Sequence, residues 1–242
     1  MSHPFKGLPS VPFNTANGAP PPPAPVDMEA QLAALPRPRK HYKWYYCTPS
    51  ADDEMKNPQE GLHDFLRGYF HLKSADWAGN DPHPLKGWEA EELQKMPRYY
   101  IMDKADNMRE AVARDMKNED PEEVQRISKR WLSDEELAVY VGEYARNGFQ
   151  GGLNWYRVQT KREIASDVEM FAGKKIEVPC LFVSGVKDWG SFQEPGAVES
   201  MAHVCDDFRG TRYIEGAGHW LPQEQPEEAV KCILELVNSL TT

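Results

Sequence analysis

Two segments in the first two thirds of the chain carry apolar side chains at helical spacing. The first stripe consists of Leu62, Phe65, Leu66 and Tyr69. The second stripe consists of Leu137, Tyr140, Val141 and Tyr144. Ser133 and Glu136 form a capping box before the second stripe, and Gly148 stands after it, where a left-handed C-cap belongs. Both patterns predict amphipathic helices, and the second has the clearer start and end.

The N-terminal part of the chain is rich in proline and lacks a clear helical or strand periodicity. Ten of the 20 prolines lie in the first 38 residues, including the run from Pro20 to Pro23. This composition predicts an extended connector, interrupted by a short helix from Met28 to Leu35 with Asp27 as its N-cap. A second segment broken by prolines, between Asp76 and Met102, predicts an ordered loop with short helical pieces.

After about residue 174 the pattern becomes that of a buried sheet. The stretch from Val178 to Ser184 is continuously apolar, which predicts a strand covered on both faces, as in a parallel sheet. Helical spacing follows from Ala197 to Phe208, and a second strand is predicted from Thr211 to Glu215. A last helix begins near Pro226. Its predicted inner face consists of Ala229, Val230, Ile233, Leu234 and Val237. This order predicts the last β-α-β-α of a doubly wound α/β domain.

The charge balance limits the classes of partner that we expect. The chain has 38 acidic and 28 basic residues, a formal net charge of -10, and no cluster of lysine and arginine. We therefore expect no binding face for nucleic acid or for an anionic membrane. The apolar runs fall far short of the roughly 20 residues of a spanning helix, and Met1 to Lys6 has no signal-peptide pattern. The prediction is a cytoplasmic chain that does not cross a membrane.

The spacing of histidines and cysteines predicts neither a metal site nor a cofactor. The histidines at 41, 63, 71, 83, 203 and 219 show no ligand spacing such as H-E-x-x-H, and His63 and His71 are expected on helix faces. No glycine loop follows a strand and opens a helix, so a nucleotide cofactor is not expected either. Four widely spaced cysteines are expected to be free thiols, namely Cys47, Cys180, Cys205 and Cys232.

Polar residues follow both predicted strands, at the end where α/β domains bind ligands. Asp188 lies in the turn after the first strand, and His219 lies in the G-A-G-H-W turn after the second. This order matches the last two members of the α/β-hydrolase triad, in which the carboxylate orients an imidazole that acts as general base. The alternative is that Asp188 caps a turn and His219 is a solvated loop histidine. The glycines around His219 favour the first interpretation, because they let the backbone turn tightly and project one side chain.

Longer strings connect the chain with a known family. The string G-F-Q-G-G-L-N-W-Y-R at 148–157, the Lys187-Asp188 turn and G-H-W-L-P-Q at 218–223 resemble the soluble epoxide hydrolases of the α/β-hydrolase superfamily, particularly fungal members. The resemblance extends over nearly the whole chain, and the first string is its most specific part. It implies a proline-rich connector at 1–35, a helical cap at 36–165, and the C-terminal half of the hydrolase core at 166–242.

The resemblance also implies roles for two tyrosines. In the family, two tyrosines of the cap donate hydrogen bonds to the epoxide oxygen, and the matching positions are Tyr156 in N-W-Y-R and Tyr42 in H-Y-K-W-Y-Y. A phenol suits this role because its ordinary pKa of about 10 keeps it protonated at neutral pH. Tyr45 and Tyr46 lie within reach of the same alignment as Tyr42. The expected catalytic residues are His219, Asp188, Tyr156 and Tyr42, acting on a small apolar epoxide-like substrate.

The chain departs from the family at the residue that attacks the epoxide. Family members use an aspartate on a strand-to-helix elbow, form an ester with the substrate, and release it with water activated by the histidine. Here Asp27 follows a proline-rich stretch, and Asp52 and Asp53 have no strand before them. The H-G-x-P oxyanion loop is missing as well. Since Met1 to Phe5 resembles the end of the strand after the elbow helix, we expect the N-terminal strands of the sheet to be absent.

Such a half-sheet should bind a partner, because a central strand without neighbours exposes apolar side chains and unpaired backbone groups. The candidate partners are the missing N-terminal half and a second copy of the chain. The other possibility is that the natural chain is longer and starts earlier, so that it contains the missing half itself. The leading hypothesis is an epoxide-hydrolase-like chain that does not hydrolyse epoxides alone by the two-step route. The alternatives are a non-hydrolytic binder or cyclase for an epoxide or carbonyl substrate, and an inert fragment.

Overall fold

The computed structural model describes residues 4, 27–58, 60–160, 171 and 173–240. The first part contains the helices α1 (Met28–Ala34), α2 (Tyr42–Tyr46), α3 (Ala51–Lys56), α4 (Leu62–Leu72), α5 (Ala90–Leu93), α6 (Met108–Met116), α7 (Pro121–Ser128), α8 (Asp134–Asn147) and α9 (Gln150–Thr160). Its two strands are β1 (Arg39–His41) and β2 (Ile101–Asp103). The second part contains β3 (Cys180–Gly185), α10 (Ala197–Val204), β4 (Phe208–Ile214), α11 (Leu221–Glu224) and α12 (Pro226–Asn238). Apart from residue 4, the expected connector before residue 27 lies outside the described residues, as does the expected boundary at 165.

The two predicted amphipathic helices form as α4 and α8. Both bonds of the capping box are present, since Glu136 N–H donates to Ser133 Oγ at 3.2 Å and Ser133 N–H donates to Glu136 Oε2 at 2.8 Å. Gly148 ends α8 with a φ of 68°, a backbone conformation that favours glycine. Helix α1 also begins where it was predicted, with Asp27 Oδ1 accepting Ala30 N–H at 3.0 Å.

Helix α4 lies at the centre of the first part and contacts α6, α7 and α8. Its buried side is carried by Phe65, Leu66 and Phe70, and α8 contributes the fully buried Leu137. Because apolar contacts from several helices converge on α4, its C-terminal end is held firmly, and that end borders the candidate site described below.

The segment 76–102 is ordered, as predicted, but it ends in a strand that the sequence did not indicate. Strand β2 pairs antiparallel with β1, placing Arg39 opposite Asp103 and His41 opposite Ile101. Helix α5 is the expected helical piece within this segment. Three residues per strand are too few for an alternating pattern, and only the distant pairing makes them recognisable.

The predicted β-α-β unit is confirmed. Strands β3 and β4 pair in parallel, with Phe182 opposite Thr211 and Gly185 opposite Ile214. Strand β4 starts at Phe208, earlier than predicted. Helix α10 ends at Val204 because the next residue, Cys205, is extended and bridges to Ile176.

The prediction that the first strand is covered on both faces is wrong for the described residues. Phe182 is buried against Met201 and Cys205, whereas Leu181 and Val183, which point the other way, are only half-buried. The physical reason is that α10 covers the Phe182 side, whereas α12 contacts β3 but leaves Leu181 and Val183 partly exposed.

Most of the predicted inner face of the last helix is also exposed in this structure, although Ala229 is half-buried. Val230, Ile233, Leu234 and Val237 are each about half exposed or more, reaching 61% at Ile233. Helix α12 contacts β3, and its buried residue is Cys232. A pair of strands is too narrow to cover the whole apolar stripe, so an unpartnered apolar face remains.

The four cysteines are free thiols, with Cys205 and Cys232 buried and the other two half-buried. His63 and His71 both lie on α4, and His71 is buried rather than exposed. No helix in the described part of the chain has the length and apolar character required to span a lipid bilayer.

Candidate functional site

Asp188 is placed by the turn that follows β3. Its backbone N–H donates to Gly185 O at 3.1 Å, and its Oδ1 accepts Gly190 N–H at 2.7 Å, so the side chain caps a short 3-10 turn over Trp189–Ser191. The residue is 4% exposed. The carboxylate of Asp188 therefore caps the turn and also faces the histidine, and its catalytic role stays a prediction.

His219 comes from the turn that follows β4. Its Nδ1 lies 3.1 Å from Asp188 Oδ1, and its backbone N–H donates to Lys73 O at 2.9 Å. The preceding Gly218 is required sterically, since a Cβ there would lie 2.5 Å from Lys73 O. The structure thus brings Asp188 and His219 together, and the histidine turn rests directly on the end of α4.

The carboxylate of Asp188 is held in its charged form. Burial by itself disfavours the charge, but the neighbouring His219, the hydrogen bond from Gly190 and the positive Lys73 outweigh burial and keep the pKa of Asp188 below its ordinary value. Ser184 Oγ lies 3.4 Å from the second oxygen, Oδ2. An ionised Asp188 can orient the imidazole and stabilise its cationic form.

Glu224 is a residue of the site that the sequence analysis missed. Its carboxylate accepts the backbone N–H groups of Gly218 and Trp220, each at 3.0 Å, and that of Ala75 at 2.7 Å. Glu224 therefore holds the backbone on both sides of His219 and connects this turn to the segment after α4. Burial outweighs these bonds and raises the pKa of Glu224 to about 7. A lone glutamate in the string L-P-Q-E carried no signal of this role.

The tyrosines of α2 have three different hydroxyl partners. Tyr42 OH donates to Gln193 Oε1 at 3.3 Å, on the loop that follows Asp188. Tyr45 OH donates to Glu54 Oε2 at 2.9 Å, and Tyr46 OH shares a hydrogen bond of 3.0 Å with Tyr69 OH. Of these three tyrosines, Tyr42 is the one whose hydroxyl bonds to the loop carrying Asp188.

Tyr156 reaches the same cluster from α9. Its ring centroid lies 5.6 Å from that of Tyr42, in an edge-on arrangement, and 4.9 Å from that of Tyr46. Burial raises the pKa of Tyr42 well above its ordinary value and raises the pKa of Tyr156 as well. Both phenols therefore remain protonated donors at neutral pH.

The 148–157 string holds Tyr156 in position. Asp52 accepts the N–H groups of Phe149 and Gln150 and so caps the start of α9. Arg157 donates to Gln150 Oε1 at 3.0 Å and to Thr48 O, just after α2, at 3.4 Å. The polar residues of this string therefore hold α9 against the end of α2.

In the described residues, no group of three or more histidine, cysteine, aspartate or glutamate side chains is placed so that it could hold a metal ion. The site as described consists of two phenols, one carboxylate-oriented imidazole and the backbone that positions them. Such a set can donate hydrogen bonds to an oxygen and accept a proton from water.

The chain is similar to proteins named epoxide hydrolase. No family model matches the chain. A stretch of 111 residues is 41% identical to epoxide hydrolase A of Mycobacterium tuberculosis, covering 46% of this chain and 33% of the relative. A stretch of 103 residues is 32% identical to bifunctional epoxide hydrolase 2 of Rattus norvegicus, covering 43% of this chain and 18% of the relative. The chain thus matches a third or less of these curated relatives' length.

Solved structures extend the similarity to most of the chain. Epoxide hydrolase A from Mycobacterium thermoresistibile matches with a TM-score of 0.59 and 25% identity, over 90% of this chain and 59% of that one. Potato epoxide hydrolase I matches with a TM-score of 0.58 and 21% identity, over 98% of this chain and 60% of that one. The fold is therefore that of part of an α/β-hydrolase.

Proposed function

Since this chain is homologous, over part of its length, to epoxide hydrolases with the α/β-hydrolase fold, we propose that it forms the cap and the histidine side of an epoxide-opening site. The observation that carries the proposal is the meeting of two pairs. Asp188 and His219 lie 3.1 Å apart at the strand ends, and Tyr42 OH bonds to Gln193 on the loop after Asp188.

The tyrosine pair would bind the epoxide oxygen. Tyr42 and Tyr156 approach each other from α2 and α9, and their raised pKa values keep the hydroxyl protons in place. As the carbon–oxygen bond of the ring breaks, negative charge develops on that oxygen, and two phenol donors would stabilise it. One phenol would then transfer its proton to the resulting alkoxide.

The Asp188–His219 pair would serve the second half of the reaction. With its Nδ1 proton directed at Asp188, the imidazole leaves Nε2 free of that bond and able to remove a proton from water. That water would attack the ester between enzyme and substrate and release a diol. The charged Asp188 would stabilise the imidazolium formed in this step.

The nucleophilic aspartate would come from an N-terminal part of an α/β core. The first aspartates of the sequence are engaged elsewhere, with Asp27 capping α1, Asp52 capping α9 and Asp53 accepting a bond from Asn57. Alone, the chain is therefore proposed not to hydrolyse epoxides by the two-step route. The exposed stripe of α12 and the half-buried face of β3 support a covering partner, with the missing half of the core as the leading candidate and a second copy as the other.

Product analysis in water labelled with heavy oxygen tests the proposal. The purified chain should bind styrene oxide, detected by quenching of aromatic fluorescence, without multiple-turnover diol formation. The native protein isolated from its source cells should form a diol that carries one solvent oxygen, and its intact mass would show whether it exceeds 27.6 kDa. Failure to bind would overturn the proposal, and an isomer of unchanged mass would instead identify a cyclase.

A further inference from the structure

Lys73 lies between the tyrosines and the Asp188–His219 pair. It follows α4 directly, is 5% exposed, and its carbonyl accepts the backbone N–H of His219 at 2.9 Å. Its main chain thus supports the histidine turn, while its side chain runs back among the tyrosines.

Four phenol rings surround the ammonium group of Lys73. The nitrogen Nζ lies 5.0 Å from the ring centroids of Tyr69 and Tyr100, 5.3 Å from Tyr99 and 6.0 Å from Tyr42. Ring faces attract a cation through their quadrupole, so these contacts hold the charge in place. One of the four rings belongs to Tyr42, which places the ammonium next to the proposed epoxide-binding pair.

The ammonium has hydrogen-bonding capacity that the described residues do not use. The four rings are its close neighbours, and no oxygen in the described part of the chain forms a hydrogen bond with its three N–H donors. Asp188 interacts electrostatically with Lys73, but its carboxylate is already bonded to His219 and Gly190. Because the side chain is largely buried and its ammonium lacks an oxygen acceptor, an oxygen that arrives with a bound molecule would be favoured there.

We propose that Lys73 binds a carboxylate of the substrate, so that the site takes short epoxy acids whose acid group lies close to the epoxide ring. The inference rests on the proposed function, because it names the substrate class of that same site. The epoxide oxygen faces Tyr42 and Tyr156, while the acid group faces the ammonium beside Tyr42. A carboxylate matches a single ammonium better than a phosphate does, since phosphate sites gather several donors.

The surrounding charges agree with this assignment. The whole chain carries a net charge of -10, which repels anions in general, so a buried cation inside the site gives selectivity for an acid that reaches it. Burial lowers the pKa of Lys73, and the negative charge of Asp188 opposes this effect. A bound carboxylate would favour the charged lysine further.

Calorimetric titration of the full chain with a pair of probes that lack an epoxide tests the inference by itself. The probes are 3-phenylpropanoate and its neutral amide, 3-phenylpropanamide. The acid should bind more tightly than the amide by about 10- to 100-fold, the range that one charged hydrogen bond supports. Lys73→Met keeps the length of the side chain and should abolish this preference, whereas Lys73→Arg should keep part of it.

Lys40→Met is the matched control, because Lys40 Nζ also lies over a tyrosine ring, 5.2 Å from Tyr45, but at a site away from His219. It should leave the preference for the acid unchanged. Equal binding of acid and amide by the unaltered chain, or an unchanged preference in Lys73→Met, would overturn the inference. Thermal melts check that each variant folds, and the comparison of acid with amide in the unaltered chain needs no variant.

Styrene oxide separates this inference from the proposed function. If it binds in a manner that depends on Tyr42 and Tyr156 while acid and amide bind equally, the carboxylate site is wrong and the epoxide site stands. If the acid is preferred through Lys73 but no epoxide binds, Lys73 is confirmed as an anion-binding residue. The proposed function is then wrong, and so is the assignment of epoxy acids as substrates.

Discussion

Glu224 accepts the backbone N–H of Gly218 at 3.0 Å, on the residue directly before His219. A second bond, from Trp220 N–H on the residue directly after it, is equally long. The proposed base is therefore held by a carboxylate five positions along the chain, in addition to the aspartate that faces its ring.

Replacing Glu224 by glutamine should lower the free energy of unfolding by about 1–3 kcal/mol, because the amide nitrogen would face backbone N–H donors and leave some unsatisfied. Urea unfolding at neutral pH measures the change. Glu227→Gln, at an exposed acid in the first turn of α12, is the control and should change stability by less than about 0.5 kcal/mol. Equal effects of the two substitutions would contradict a stabilising role for the hydrogen bonds that Glu224 accepts on both sides of His219.

The pKa of Glu224 predicts a dependence of stability on pH. Burial raises it from 4.5 to about 7, so the folded state binds this proton more tightly than the unfolded state. Its contribution to stability is therefore complete below pH 4.5 and is lost as the pH rises through 7. Unfolding free energies measured across this window should fall more steeply for the unaltered chain than for Glu224→Gln.

In part of the same pH range, His71 changes the stability of the chain in the opposite direction to Glu224. Burial lowers the pKa of His71 below 6.5, so its contribution to stability is present above that value and is lost as the pH falls. Both proteins contain His71, and the difference between their pH profiles isolates Glu224. Parallel profiles would show that Glu224 does not titrate in this range.

Asp52→Ala should destabilise the chain by about 1–2 kcal/mol, since Asp52 caps the helix that carries Tyr156. The neighbouring Asp53 is exposed and bonds to the side chain of Asn57, so Asp53→Ala should have an effect below about 0.5 kcal/mol. Urea unfolding of both variants, with limited proteolysis near residue 148, measures the difference. A larger loss in Asp53→Ala would refute the assignment of the cap.

Tyr42→Phe should weaken the binding of styrene oxide by about 3- to 10-fold, the effect of losing one neutral hydrogen bond. Tyr45→Phe is the matched control, because the hydroxyl of Tyr45 bonds to Glu54 and is not part of the pair with Tyr156. Fluorescence titration compares the two. A greater loss in Tyr45→Phe would transfer the role to the alternative that the sequence left open.

Ile233→Lys should suppress self-association of the isolated chain while changing its stability by less than about 0.5 kcal/mol, because Ile233 is 61% exposed. Sedimentation velocity over a range of concentrations measures the association. Lys231→Ala, on the same helix, should leave association as it was. If Ile233→Lys instead unfolds the chain, the face is part of the chain's own core.

Short-range signals predicted the parts of the fold that they determine. The capping box of Ser133 and Glu136 predicted the start of α8, and Gly148 predicted its end. Asp188 and His219 could be paired because parallel strands end at the same edge of a sheet, although they lie 31 residues apart.

Long-range contacts account for what was missed. Glu224 acts on Ala75, 149 residues away, and Lys73 meets His219 across a similar separation. No local pattern records such a contact. The stripe of α12 was recognised correctly as apolar, but whether it is covered depends on a neighbour rather than on the helix itself.

The bond between the His219 amide and Lys73 O has a consequence for motion in the site. A cap that opened by lifting the end of α4 away from the core would break this bond and the Glu224–Ala75 bond together, and it would release the imidazole from its orientation each time. We therefore expect α4 and the histidine turn to move as one rigid unit, so that molecules enter and leave the site by a route that does not separate them.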